Sequence, residues 1–575
     1  MKDYPRYPIV FLILISVAYL LITPIGVDMP FHVLRIGELA RELSRGSFPV
    51  YIYKDLYSYY GYPIPIFYCS FFLYPFAGMV LVGMQPVMAY KLMVIIVLWA
   101  VYLISYFCTC RLPVREDIRF EAAFIYTIQP FFLNELFVRA SIGAACVFIF
   151  ILIILVGVYL IYSLDLHGII WLSVGMAGII MSHVISAVLV CLSLAVLMAI
   201  ILIRLSGHRL MIAGCVATAA VGAFLLTAWY ICPVMEQMLH YHFKSQTVTG
   251  LAVGAEYPLS MFLPIHLVTA LNQVFHAELP VSAIGGSPVP VVSLTVFMML
   301  TGYIRKLFRT ERILLVSYYL LLIILMLPVL WNSIGHFIAF IQFGWRVFFI
   351  TSIIGVAISI ILMHRFADDR RMRRIIMIVC TCSAVYILVF FFGYYALRNA
   401  APAMVSDKLG HDLKEYTYET VTEDDLYIPD QLDEDCLSMR PREVVLLNRY
   451  ADGESVPVYS YSCDEDSGMV SFDIPNVKFE GDLIFEIPFI MYDGYTALNI
   501  LSGRTYGVTA GDTGLVNVHI PSGESGMVEV SYTGTWIQRV SFYISLVSWF
   551  IMIYILIRIC LLRKANGNNR SSYCR

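Results

Sequence analysis

Charge is what this sequence has least of. Only 14% of its 575 residues are Asp, Glu, Lys or Arg, where a soluble chain carries about a quarter. That deficit excludes a soluble globular enzyme, a disordered chain and a nucleic-acid binder together. Cysteine is sparse as well, with 13 in the whole chain, which excludes a disulfide-built scaffold. Ten of them lie in or beside apolar runs, and only Cys436, Cys463 and Cys574 fall in polar regions. No glycine-rich nucleotide-binding fingerprint, internal repeat or low-complexity tract stands out. What is abundant is apolar surface: 60% of residues are hydrophobic, 14% are aromatic and the mean hydropathy is +0.78. Spread over many separate runs, that composition reads as a polytopic α-helical membrane protein.

The small net charge of −3 conceals two opposite halves. Between Asn399 and Trp536 there are 25 acidic residues against 7 basic, a net −18, while the remainder holds 31 basic against 16 acidic, a net +15. An acidic polar domain is inserted late into a basic membrane body, as expected when the two lie on opposite sides of a bilayer. From Val456 onward the acidic part alternates apolar and polar residues, broken by turn signals such as Glu480-Gly481-Asp482. Period two with such breaks predicts a small antiparallel β-sandwich.

A membrane-crossing helix needs roughly 20 apolar residues. Ten runs predict clear crossings: Tyr7–Ile25, Val87–Cys108, Ile142–Tyr162, Val184–Ile203, Leu210–Trp229, Pro288–Ile304, Ile313–Trp331, Val347–Met363, Ile375–Leu397 and Val540–Leu562. Two shorter runs, Phe120–Leu133 and Ile169–Met181, bring the expected number to twelve. Ile66–Met84 is also apolar, but only Gln85 and Pro86 separate it from the next run. Reading it as an interfacial or re-entrant helix puts the arginine clusters at Arg111–Arg119, Arg305–Arg312 and Arg365–Arg374 in the cytoplasm, as the positive-inside rule requires. The first run has no small-residue cleavage site and is expected to remain as an anchor. The expected organisation is a membrane body over residues 1–397 with a first outer loop at 26–86. An outward β-rich domain follows over 398–537, then a final crossing at 538–562 and a basic cytoplasmic tail at 563–575.

The polar residues that bear on chemistry gather on the outward side. Asp28 follows the first helix and precedes a stretch, Phe31–Arg45, with leucines at helical spacing among His32, Arg35, Glu38, Arg41 and Glu42. That pattern predicts an amphipathic helix on the membrane surface, with Asp28 either capping it or facing the cavity beneath. The run Tyr57–Tyr68 is dense in tyrosine, fitting either an interfacial aromatic belt or a surface for stacking sugar rings through Tyr62 and Tyr68. Glu135 and Arg139 are four apart, on one face of a helix, and fit an ion pair. His183 ends the second short run. Gln342, Trp345 and Arg346 stand at the outer start of a crossing, where the helix dipole already carries positive charge. Arg346 there either snorkels to headgroups or holds a bound anion together with free N–H groups.

Taken together, Asp28–His32 with Arg35, Gly61-Tyr62-Pro63 to Phe67-Tyr68, Glu135 to Arg139, Ser182-His183, Gln342-Phe343-Gly344-Trp345-Arg346 and Ile487–Tyr495 resemble the GT-C superfamily of membrane glycosyltransferases. The closer likeness is to the bacterial branch that glycosylates lipoteichoic acid and related surface polymers. It extends to membrane proteins labelled "6-pyruvoyl-tetrahydropterin synthase-related", a label that carries no pterin chemistry. The resemblance implies transfer of a sugar from a polyprenyl-phosphate donor to a cell-surface polymer or glycolipid, on the outer face of a bacterial plasma membrane. It implies Asp28 as the base of an inverting reaction and Arg346 with Arg139 as holders of the donor phosphate. His32, Arg35, Glu135, His183 and Gln342 would line the acceptor cavity, and Tyr62, Tyr68 and Trp345 would stack the sugar. No cofactor is firmly implied; Mg or Mn at His32, Glu135 and His183 is the alternative. The paired acid of several GT-C branches is missing beside Asp28, and Gly344 stands where a proline is expected. Two other readings stay open: a lipid or polysaccharide transporter, and a non-enzymatic surface scaffold whose acidic domain binds a cationic partner.

Overall fold

The computed structural model describes residues 6–22, 24–57, 59–244, 260–275, 285–327, 329, 331, 333, 341, 343–400, 429, 432, 443–447, 456–458, 460–464, 467–474 and 481–571. Gln342, Cys436 and the acidic runs at 423–425, 433–435 and 465–466 lie outside the described residues, and the boundary expected at residue 398 falls inside the helix Arg370–Ala400.

Seven helices among the described residues are long and apolar enough to cross a membrane: Pro86–Thr109, Ile142–Tyr162, Val184–Arg204, Arg209–His240, Gly344–Arg365, Arg370–Ala396 and Trp536–Ile559. The chain therefore has the helices of a multi-pass membrane protein. The twelve expected crossings are not reached, and the shortfall has local causes. Phe120–Leu133 is broken into Arg119–Thr127 and Pro130–Leu133, because Gln129 adopts an extended ψ of 138° ahead of Pro130, as residues before proline do. Tyr7–Ile22, Gly168–Ser182, Val289–Thr301 and Arg309–Leu325 have only 16, 15, 13 and 17 residues. At 1.5 Å per residue they fall short of an average bilayer core of about 30 Å. The Ile66–Met84 run is divided among Ile64–Phe67, a 3₁₀ turn at Phe71–Leu73 and Tyr74–Leu81, none of which is long enough to cross.

The chain forms two compact units. The first comprises Met1–Gly37, Pro75–Ala220 and Val248–Tyr416. Its tightest helix pair is Ile142–Tyr162 against Gly168–Ser182, which pack through glycine. A Cβ on Gly157 would lie 2.7 Å from the Leu172 backbone nitrogen, and one on Gly168 would lie 2.6 Å from the Gly157 carbonyl oxygen. Small residues bring two backbones together in this way where lipid supplies no hydrophobic drive.

The second unit comprises Glu38–Tyr74, Val221–Thr247 and Thr417–Arg575. Beside helices it contains nine strands among the described residues: β1 Val445–Leu446, β2 Val456–Pro457, β3 Tyr461–Asp464, β4 Met469–Ile474, β5 Leu483–Ile490, β6 Tyr495–Asn499, β7 Thr505–Ala510, β8 Leu515–Ile520 and β9 Gly526–Tyr532. They form one antiparallel sheet in the order β2-β1-β5-β8-β7-β6-β9-β4-β3, not the two separate sheets of the expected sandwich. The reason lies in β7: its first residues pair with β6 (Tyr506 with Ala497) and its last with β8 (Ala510 with Val516). The sheet curls at this strand as a half-barrel, and Phe472 of β4 packs on Phe485 of β5 at 4.6 Å. The Ile487–Tyr495 segment has a mechanical role here. Asp493 accepts from Tyr241 Oη at 3.1 Å and pairs with His240 Nδ1 at 2.5 Å, while its backbone exchanges two bonds with the Gln237 amide.

The glycine-packed pair yields an expectation. Replacing Gly157 by leucine overpacks a backbone-to-backbone contact and costs about 1–3 kcal/mol, read as a lower melting temperature of the purified protein in detergent. Gly214→Leu, where nothing stands within 4 Å, serves as the control and leaves the melting temperature unchanged.

Candidate functional site

The candidate site lies in the first unit and is built on a fault in a helix. After Pro130–Leu133 the backbone widens into a five-residue π turn, Asn134–Val138, closed by the Arg139 N–H donating to the Asn134 carbonyl at 2.8 Å. Single π turns inside helices are frequent at functional sites. Ala140 then takes a positive φ of 58°, which ends the helical run and leaves the Val138 and Arg139 carbonyls to accept from another strand of chain.

That strand is Gly26–Asp28. The Val27 N–H donates to the Val138 carbonyl at 3.1 Å and the Asp28 N–H to the Arg139 carbonyl at 2.7 Å. The approach is so close that a Cβ on residue 26 would meet the Ala140 Cβ at 2.4 Å, so only glycine fits there. Two main-chain bonds thus hold Asp28 beside Arg139, and the helix Met29–Ser44 begins at the next residue.

Arg139 is the centre of the cluster. Its guanidinium lies 3.6 Å from Asp28 and 3.4 Å from Glu135, and stacks 3.7 Å from the centre of the Trp345 ring. Arg346 sits at 5.6 Å from the same ring and donates to the Ile341 carbonyl at 3.0 Å. His183 caps the helix Val184–Arg204, its Nδ1 accepting from the Ser186 N–H at 3.2 Å, within the electrostatic reach of Arg346 and Arg139. His32 stacks on Tyr90 at 6.3 Å and lies 3.3 Å from Arg35. Asp28, His32, Arg35, Glu135, Arg139, His183, Trp345 and Arg346 therefore fall in one unit. Arg35 contacts His32, which in turn lies within the electrostatic reach of His183.

Burial separates the two acids. Asp28 keeps 32% of its side chain exposed, whereas Glu135 keeps 2%. Burial pushes the Glu135 carboxyl above the usual range, against the pull of Arg139, and Asp28 pushes it further up. Its Oε2, like the Oδ1 of the buried Asn134, has no hydrogen-bond partner among the described residues. Asn134 itself is tied by its amide to the Gly285 carbonyl at 2.7 Å. For His32, burial and then the Arg35 guanidinium hold the imidazole well below its usual range, so it is neutral at pH 7.

The expected metal ligands do not fit an ion. Among the described residues no three His, Cys, Asp or Glu side chains come together, and Glu135 is engaged by Arg139. The stacking residues divide differently. Trp345 is already engaged by Arg139 at 3.7 Å and by Phe343, stacked at 6.2 Å. Tyr62 and Tyr68 belong to the second unit, where Tyr62 is buried against Tyr57 at 4.9 Å. The helix Met29–Ser44 also departs from expectation: His32, Arg35, Glu38 and Glu42 are buried rather than turned to water. Gly26, Asn134 and Tyr90 escaped the sequence reading. Only the Gly-Val-Asp spelling at 26–28 hinted at the first.

The raised Glu135 pKa sets the sign of a pH effect. A carboxyl lifted in the folded state contributes stability that is complete below its unfolded value near 4.3 and is lost as pH climbs through the folded value. Arg139→Met removes the counter-charge, so its destabilisation, about 3 kcal/mol for a broken buried pair, is expected to be larger at pH 8 than at pH 5. Adding Glu135→Gln recovers part of it at pH 8. Denaturation of the detergent-solubilised variants across that range checks this; equal losses at both pH values contradict it.

No family model, no curated protein and no solved structure matches the chain.

Proposed function

We propose that the protein is a membrane glycosyltransferase that takes a sugar from a polyprenyl-phosphate donor and passes it to a hydroxyl of a cell-surface polymer or glycolipid, on the outer face of a bacterial plasma membrane. The observation that carries this reading is the Asp28–Arg139–Trp345 cluster. A partly exposed carboxylate stands 3.6 Å from a guanidinium that lies flat on an indole, with a second guanidinium on the same ring. Such a set offers a base, an anion clamp and an aromatic face within one small volume, which is what displacement of a phosphate from a sugar needs.

In this reading the donor phosphate binds Arg139 and Arg346, which hold it by charge-assisted hydrogen bonds. Drawing Arg139 toward the phosphate relieves Asp28 of its counter-charge and leaves it free to accept a proton. The acceptor hydroxyl oxygen attacks the anomeric carbon as Asp28 removes its proton. The bond from that carbon to the phosphate oxygen breaks with its electron pair, and the two guanidiniums neutralise the charge that develops there. Attack opposite the leaving group inverts the anomeric centre. Glu135 remains behind Arg139 as the buried counter-charge that keeps it in place.

The test pairs two substitutions in purified, detergent-solubilised protein supplied with polyprenyl-phosphate hexoses. Asp28→Asn is expected to lower turnover by about 10²–10⁴-fold, the usual worth of a general base, with donor binding intact. Arg346→Ala weakens donor binding by about tenfold or more, and Arg346→Lys keeps part of it because the charge remains while the bidentate fork is lost. Near-normal turnover by folded Asp28→Asn removes Asp28 from the role. Equal donor affinity in all three proteins removes Arg346.

A further inference from the structure

A second cavity, wholly within the second unit, has a composition that the transferase reading does not use. It has a volume of about 290 Å³ and lies between the segment Phe48–Lys54 and the first two turns of the helix Trp536–Ser571. That is far more than the 10–15 Å³ a single water needs. Its polar wall is made by Lys54, Gln538 and Arg539, and its aromatic wall by Phe48, Phe542 and Tyr543.

The charges in this wall do not cancel. Glu42, its one carboxylate, is fully buried and already matched, 2.8 Å from Arg45 and 3.7 Å from Lys54. The Lys54 ammonium also donates to the Ser467 carbonyl at 3.1 Å. Arg539 donates to the Thr533 carbonyl at 3.1 Å and makes no ion pair among the described residues. The lining thus holds two cations against one acid, and the positive end of a long helix adds to the surplus. An anion is what the polar wall lacks.

The aromatic wall indicates where that anion comes from. Phe542 and Tyr543 belong to a helix whose next turns expose Val547, Phe550, Ile551 and Tyr554, in a stretch apolar enough to cross a membrane and only 11% buried. The cavity therefore adjoins, through Phe542 and Tyr543, a helix surface apolar enough to receive acyl chains. We propose that it is a binding site for the phosphate-bearing headgroup of an anionic membrane lipid, with Arg539 on the phosphate and the chains descending along Tyr543 and Val547. The site stands independently of the sugar-transfer reading, since none of its residues belongs to the Arg139 cluster.

The test uses the full chain, purified, stripped of lipid and resupplied with phosphatidylglycerol, phosphatidylcholine or free glycerol 3-phosphate, with binding followed by native mass spectrometry. One phosphatidylglycerol per chain is expected to be retained in preference to phosphatidylcholine, and glycerol 3-phosphate is not retained. Arg539→Ala lowers the retained affinity by about tenfold or more, the worth of one charge-assisted contact, and Arg539→Lys keeps part of it. Thr533→Trp, at the exposed rim of the cavity, blocks entry while leaving the charge in place, so loss of binding there is not a charge effect. Melting temperatures of all variants separate lost binding from lost folding. Undiminished retention in folded Arg539→Ala and Thr533→Trp, or no preference for the anionic lipid, overturns the proposal. Glycerol 3-phosphate binding as tightly as the lipid assigns the cavity to a free phosphate ester instead.

Discussion

A guanidinium enclosed by apolar helices must be answered by acids, and Arg139 is answered twice. Glu135 lies one turn before it in the same segment and Asp28 arrives from a distant part of the chain, at 3.4 and 3.6 Å. Neither pairing is strong by itself, because desolvation of both partners offsets most of the Coulombic gain. The arrangement holds because the backbone enforces it. The π turn sets Glu135 and Arg139 on one side, and the two main-chain bonds from Val27 and Asp28 lock the second carboxylate in place. Trp345 then covers the cation with a ring face, an attraction that grows as water is excluded. Remove Arg139 and a buried carboxylate, a helix fault and a close chain crossing lose their common reason.

The second unit solves a related problem by a different route. Asp55 sits between Arg41 at 2.7 Å and Arg45 at 2.8 Å, and these reach back to Glu38 and Glu42. All the acids of this chain of pairs are buried, so the charged face of the helix Met29–Ser44 meets other charges, with Arg41 alone of these residues exposed. Two polar clusters, each internally matched, are how a body of mostly apolar helices keeps charge without leaving it bare. They differ at the edge: Asp28 stays partly exposed while paired with Arg139, and Arg539, outside the second cluster, makes no ion pair among the described residues.

Much of this was legible in the sequence, for physical reasons. Charge deficit and apolar run length report membrane helices directly, and period-two alternation after Val456 reported the strands. The four-residue spacing of Glu135 and Arg139 survived even through the π turn. Other features were not legible. Run length does not reveal where a helix stops, so Pro130 and the early ends of Tyr7–Ile22 and Val289–Thr301 went unread as shortfalls. An amphipathic pattern shows that one face is polar but not what that face meets, which is why Phe31–Arg45 read as a surface helix. Gly26 matters through its approach to Ala140, and the Trp345 face through its stacking on Arg139; both are contacts between distant segments that local spacing cannot contain.

The most direct measurement is donor turnover by the unmodified protein. Purified chain in detergent is incubated with a panel of polyprenyl-phosphate hexoses and an acceptor extract of surface polymer, and release of free polyprenyl phosphate is followed together with the anomeric configuration of the product. Acceptor-dependent release from one donor, with inversion at the anomeric carbon, is the expected result. Lipid donors that bind the protein yet are never cleaved, whatever acceptor is supplied, contradict it.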